Sequence, residues 1–151
     1  MGLAFRSGRW LTRDGRRVVW EWDEEQGRQG LRRAVEFHTR YDGAHGDLVR
    51  GFFAPAQIDT CTAELLKDAK RFADETKRPF QVHASQSVVE FNEMLSRYGK
   101  TPVAWMHELG LLGPSTILGH AIIIGGSSWT NYPAGDLQLM GDAGCSVAHA
   151  V

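Results

Sequence analysis

STILGHAIII, residues 115–124, is the most apolar strand candidate in the chain, and its reading decides the fold class. A strand that is apolar on both faces belongs where both faces are covered, as in a parallel sheet flanked by helices. Gly113-Pro114 sets it off from a short helix expected over Val103–Leu109, which Thr101 caps and Pro102 opens. Working outward, FQVHA at 80–84 is short, apolar and β-prone, and CSVAH at 145–149 reads as a last strand. VRGFFAPAQI at 49–58 reads as a buried strand, with Pro55 marking an irregular end or a sheet edge. Helices fill the gaps. Ala63–Lys77 follows the hydroxyl-bearing Thr60-Cys61-Thr62 and places Leu65, Leu66, Ala69, Phe72 and Ala73 on one face. Val88–Tyr98 ends at Gly99, and Asp136–Ala143 precedes the last strand. Upstream, Arg17–Trp22 reads as a strand or lid segment, and Glu24–Tyr41 as a helix weakened by Gly27 and Gly30. Alternating strands and helices give an α/β class with a parallel sheet. Periodicity leaves open sheet and barrel equally available.

Composition narrows the function. The 151 residues are 42% hydrophobic, one domain's worth of sequence, with 17 basic and 18 acidic side chains. That balance lacks the electrostatic footprint of a nucleic-acid binder. Charge is nonetheless uneven: residues 1–50 hold ten arginines and eight acids, whereas residues 101–151 hold no lysine or arginine at all. The apolar run Ala121–Ile124 is far below the roughly 20 residues of a membrane helix. No secretory signal pattern opens the sequence, and two cysteines 84 positions apart form no disulfide or zinc-finger framework. The expectation is a cytoplasmic protein with reduced thiols, without nucleic-acid or membrane partners.

Three histidines occupy equivalent places. His83, His120 and His149 each lie at or near the C-terminal end of an expected strand, 37 and 29 residues apart. In parallel α/β folds that edge carries the ligand site. Three imidazoles on one rim suit metal ligation or acid/base work. His38, His45 and His107 do not share the pattern. Trp10, Trp20 and Trp22 lie among arginines, but Asp14, Glu21, Asp23, Glu24 and Glu25 cancel that charge, so a surface hairpin or pocket lid is expected. Gly125-Gly126-Ser127-Ser128 lacks a phosphate-loop ending and reads as a flexible rim loop, and Cys61 as an ordinary residue near a helix cap.

From about Gln81 to His149 the chain resembles the metal-dependent amidohydrolase superfamily, most of all its cytosine deaminase and triazine hydrolase branch. The carriers are VHASQSVVEFNEML, YGKTPVAWMHELGLLGPSTILGHAI and GCSVAHAV. The resemblance implies a (β/α)8 TIM-type barrel in which one divalent ion, zinc or iron, activates water for attack on a carbon–nitrogen bond of a small molecule. His83 matches the family's fifth-strand metal ligand. His120 matches the sixth-strand histidine that polarises the group under attack, and His149 the seventh-strand histidine near the substrate. Many deaminases of this branch carry a proton-shuttling glutamate three residues after the fifth-strand histidine. Here that position is Gln86, which can orient a substrate by hydrogen bonds but cannot carry a proton at neutral pH.

The family's first-strand His-x-His and eighth-strand aspartate do not occur, and a whole barrel takes about 250 residues. The expectation is a partial barrel, roughly the fourth to seventh βα units, from a longer hydrolase of non-peptide carbon–nitrogen bonds. Residues 49–151 would supply the βα units and residues 1–48 an insertion or lid-like segment. His83 would hold metal, His120 catalyse, and Gln86 and His149 contact substrate; association into a homo-oligomer would close open sheet edges. The competing expectation is an inactive half-barrel that binds a small ligand or a partner subunit.

Overall fold

Local capping chemistry sets the helices of the computed structural model, which describes residues 4–12 and 18–150. Helix α1 (Glu24–Tyr41) starts behind Asp23, whose carboxylate accepts from the Gln26 amide. A four-residue turn, α2 (Ala44–Asp47), follows it. In α3 (Ala63–Thr76) the Thr62 side chain accepts from the Leu65 amide, and Lys77 ends the helix in the left-handed region. Ser87 caps α4 (Val88–Tyr98), Gly99 ends it, and Thr101 caps α5 (Pro102–Glu108). The last helix is α6 (Asp136–Ala143). Each accepted backbone N–H removes one of the orphan donors at a helix start.

Five short segments run parallel and lie side by side in chain order. They are β1 (Ala4–Phe5), β4 (Ala54–Pro55), β5 (Phe80–Ala84), β6 (Thr116–His120) and β7 (Ser146–Ala148). β1 pairs with β4, β5 with β6 and β6 with β7, and parallel bridges Phe53–Phe80 and Gln57–His83 join β4 to β5. The order never reverses, as it would at the switch point of a doubly wound sheet. A barrel wall has such an order. The parallel array begins earlier than residue 49, because β1 already belongs to it and α1 lies against β1. Gly27 and Gly30 permit that approach. A Cβ at Gly27 would stand 2.3 Å from Ser7 Oγ, and one at Gly30 2.4 Å from Phe5 Cβ.

Two strands are at most half as long as the sequence suggests. Pro55 has no N–H to give, and β4 keeps only two residues. The apolar run 115–124 leaves the sheet at His120, because His120 and Ala121 both take positive φ, 77° and 49°. Between strands and helices sits one apolar core. It includes Leu65, Leu66, Ala69 and Ala73 from α3, Phe80 and Val82 from β5, and Met94, Val103, Met106 and Leu118, all buried. Each large side chain among them contributes about 1.5–3 kcal/mol by leaving water.

An antiparallel hairpin, β2 (Gly8–Thr12) with β3 (Val18–Trp22), stands out from the array. The amides of Ser7 and Gly8 both donate to the Thr60 carbonyl, and the Asp23 amide donates to Ser7. Thr60 follows β4, so the hairpin is anchored on the side of the sheet to which the strands point. The Arg97 guanidinium of α4 covers the rings of Trp20 and Trp22, at 4.3 and 5.2 Å from their centroids. The protein's own cation thus occupies the stacking faces. Residues 13–17, with Arg13, Asp14, Arg16 and Arg17 of the basic-aromatic strip, lie outside the described residues.

Candidate active site

The site lies where β5 and β6 end. Along β5, Phe80, Val82 and Ala84 are buried on one face, leaving Gln81 and His83 half-buried on the other. The register pairs His83 with Gly119, and a Cβ at Gly119 would stand 3.2 Å from His83 Nδ1. Glycine leaves that space to the imidazole. His120 is paired with Ala84 and by simple alternation would turn to the opposite face. Its left-handed backbone turns it back. His83 Nδ1 and His120 Nε2 come to 2.8 Å. A non-glycine residue in that region costs about 1–2 kcal/mol, strain of the kind that gathers at functional sites.

Hydrogen-bond logic fixes the proton positions. His120 Nδ1 lies 2.7 Å from the Ala150 carbonyl oxygen, which can only accept. In neutral His120, Nδ1 therefore donates and Nε2 accepts. His83 Nδ1 must then be the donor of the histidine pair, which leaves the lone pair of His83 Nε2 free. Burial, and then the neighbouring His120, hold the His83 pKa below the usual histidine value. Neutral His83 with an anchored second nitrogen is the form that ligates metals. His149 joins through its own Nδ1, 3.0 Å from the His120 carbonyl.

A divalent ion fits His83 Nε2 as one donor of a set and not as a whole set. Among the described residues, no group of three or more His, Cys, Asp or Glu side chains converges for a metal. The remaining histidines stay apart from the site. His38 stacks on Phe53, 5.5 Å between centroids, and His107 lies exposed on α5.

Gln86, the exposed residue three beyond His83, accepts a hydrogen bond at 2.9 Å from the side chain of Gln57. Nothing in the sequence singles out Gln57, which reaches the site only because its backbone bridges to His83. Glu90 is likewise a residue that sequence reasoning missed. It is 3% exposed and accepts from the amides of Ser85 and Gln86 at 2.6 and 3.0 Å. Its one sequence signal is Ser87-Val88-Val89-Glu90, the pattern of a capping box. Burial pushes the Glu90 pKa up to about 7, with help from Asp59 and against the two amide bonds.

The loop after β6, expected to be loose, is tied down. Buried Asp136 accepts from the Gly125 amide at 2.7 Å and from Thr101 Oγ1 at 2.6 Å, joining the loop to the start of α5. Cys61 plays no part in the site: it is buried and its thiol pKa is pushed up to about 11, chiefly by desolvation.

No family model matches the chain. It is 28% identical over 127 residues to a 5-methylthioadenosine/S-adenosylhomocysteine deaminase of Thermococcus onnurineus, covering 84% of this chain and 28% of that one. To a second such deaminase, from Archaeoglobus fulgidus, it is 31% identical over 127 residues, covering 84% of this chain and 29% of the relative. An adenosine deaminase from Xanthomonas campestris, solved with bound zinc, superposes with a TM-score of 0.70 at 20% identity, over 99% of this chain and 29% of that structure. An atrazine chlorohydrolase from Arthrobacter aurescens, complexed with zinc, also gives 0.70, at 17% identity over 83% of this chain and 26% of that one. The two solved structures support the fold, and the curated relatives the kinship. The relatives and the structural neighbours alike are amidohydrolase-superfamily enzymes, and the chain spans a little under a third of the length of the curated deaminases it matches.

Proposed function

We propose that this chain supplies part of the barrel wall and part of the active site of a metal-dependent hydrolase acting on a carbon–nitrogen bond of a small heterocycle. The observation that carries the reading is the His83–His120 pair on the rim of an unreversed parallel array. Kinship with deaminases of adenosine derivatives supports an amino-substituted ring as substrate. The five parallel segments would be consecutive barrel strands, β5 to β7 standing fifth to seventh in the barrel. The hairpin at 8–22 would be a lid-like excursion from the βα unit that β1 begins.

His83 would hold a divalent ion, zinc or iron, through Nε2, its orientation set by the Nδ1 donation to His120. Further ligands would have to come from outside the described residues. When bound, such an ion supplies a water acidic enough to attack at neutral pH. His120 would polarise the bond under attack. Both its ring nitrogens are engaged, so this role requires its bond with His83 to be exchanged for one to substrate. Gln86, held by Gln57, would offer its amide N–H groups to a ring nitrogen or oxygen, and His149 would line the same pocket.

The test is to purify the longest natural chain that carries these residues, measure bound metal, and assay ammonia release. Aminopurine nucleosides, guanine and aminotriazines are the substrates to try. Turnover with about one metal per chain is expected. Stoichiometric metal without turnover of any of these compounds would overturn the reading.

A further inference from the structure

Ser87 and Glu90 match the capping-box pattern, in which the glutamate reaches back to the amide of the capping serine itself. The Ser87 half of the box is in place, its hydroxyl accepting from the Glu90 amide at 3.2 Å. The Glu90 half is not. Its carboxylate passes over Ser87 and takes the amides one and two residues further back, Gln86 at 3.0 Å and Ser85 at 2.6 Å.

Ser85 is where the two site strands are joined. Its φ is +59°, a left-handed conformation that turns the chain out of β5. Its amide is held by Glu90, and its carbonyl accepts from both Ile122 and Ile123, at 2.9 and 2.8 Å. Those residues follow the left-handed pair His120-Ala121. One buried carboxylate therefore fixes a turn that has His83 two residues before it, Gln86 directly after it, and the backbone beyond His120 bonded across it.

We propose that Glu90 is a positioning residue for this site: its carboxylate sets the Ser85–Gln86 turn, and through that turn the placement of the Gln86 amide and of His120. It touches neither substrate nor metal. Burying a carboxylate is costly, and a helix start needs only its serine cap, so the two amide bonds are what this glutamate is placed to make. Asp59, also buried, acts electrostatically on the same carboxylate.

The part of the proposal that concerns catalysis rests on the hydrolase reading above, and the experiment separates the two. Glu90→Ala and Glu90→Gln are made in the full natural chain; glutamine keeps one oxygen able to accept one of the two amides. Hydrogen exchange is followed at Ser85 and Gln86 against Val82 within β5, together with kcat and KM. In Glu90→Ala the two turn amides should exchange about tenfold faster or more, the order that a hydrogen bond to a charged group is worth. Val82 should be little changed, kcat should fall by a similar factor, and KM should hold. Glu90→Gln should recover part of each loss. Turn amides as slow in Glu90→Ala as in the parent would overturn the proposal. So would a parent that turns over substrate and an alanine variant with undiminished kcat. A parent without hydrolase activity would sink the hydrolase reading alone, because exchange still decides whether Glu90 sets the turn.

Discussion

His83 Nδ1 lies 2.8 Å from His120 Nε2, although the strand register sets His83 opposite Gly119 and places His120 one step further along, opposite Ala84. Two side chains on opposite faces of a pleated pair do not meet. They meet here because β6 gives up its extended conformation at His120, whose φ of 77° swings the imidazole over the strand end. The site is built from a register and a violation of it.

If His83 is a ligand, His83→Ala in the full natural chain should lose most of its bound metal and its turnover, since an open catalytic set cannot spare a donor. Metal analysis after gel filtration checks this. A variant that keeps one tightly held ion per chain would remove His83 from the ligand set.

If Gln86 faces the substrate as proposed, its amide cannot move a proton, and turnover of ring amines should be limited by protonation. Gln86→Glu should raise kcat for an aminopurine by about a hundredfold, the lower range for a positioned acid/base. Gln57 can still donate to the new carboxylate, so the side chain should keep its place. Unchanged or lower kcat in the variant, with KM intact, would show that the amide is not what limits the reaction.

Glu90 makes a pH prediction whose sign follows from linkage. Its folded-state pKa is raised to about 7, from an ordinary value of 4.5. The folded chain therefore holds more protons than the unfolded one between these values, and its stability falls as pH rises through that window. Asp59, raised chiefly by burial, acts in the same direction. Tm measured from pH 4.5 to 8 should decline more steeply in the parent than in Glu90→Gln, which cannot titrate. Parallel curves would contradict the burial argument.

Gly30→Ala sets helix propensity against space. Alanine is favoured in a helix by about 0.8–1 kcal/mol, yet its Cβ would stand 2.4 Å from Phe5 Cβ. Neither atom lies at the free end of a flexible chain, so α1 or β1 must shift. A net loss of about 1–3 kcal/mol is expected, as for overpacking. Denaturant unfolding should show it, and a more stable variant would mean that α1 is free to move off β1.

β7 pairs with β6 on one side, and all three of its residues are exposed. Val147 on this strand is an exposed apolar side chain, 46% accessible. Such an edge templates association. The 151-residue chain by itself should sediment as dimers or larger species, and Val147→Lys should shift it toward monomer. A monodisperse monomer at high concentration would show that this edge is closed by something else.

Much of this protein is legible locally. The helices start at Asp23, Thr62, Ser87 and Thr101 and stop near Lys77 and Gly99, because capping and left-handed termination are decided within four or five residues. The alternation of those helices with apolar runs placed His83, His120 and His149 at strand ends, and FQVHA is a strand over the residues expected. Other features depend on atoms that the chain brings together from far apart. Gly27 and Gly30 look like flaws in a helix until Ser7 and Phe5 lie against them. Ala4–Phe5 is too short to announce itself as a strand and becomes one only by pairing with Ala54–Pro55, some 50 residues away. Gln57 finds Gln86 through a bridge, Glu90 leaves its capping box for Ser85 and Gln86, and His120 turns left-handed where Ile122 and Ile123 bond to Ser85. Helices follow from short-range hydrogen bonds that the sequence itself encodes in order. The site follows from strand register and backbone strain, which only the packed sheet can impose.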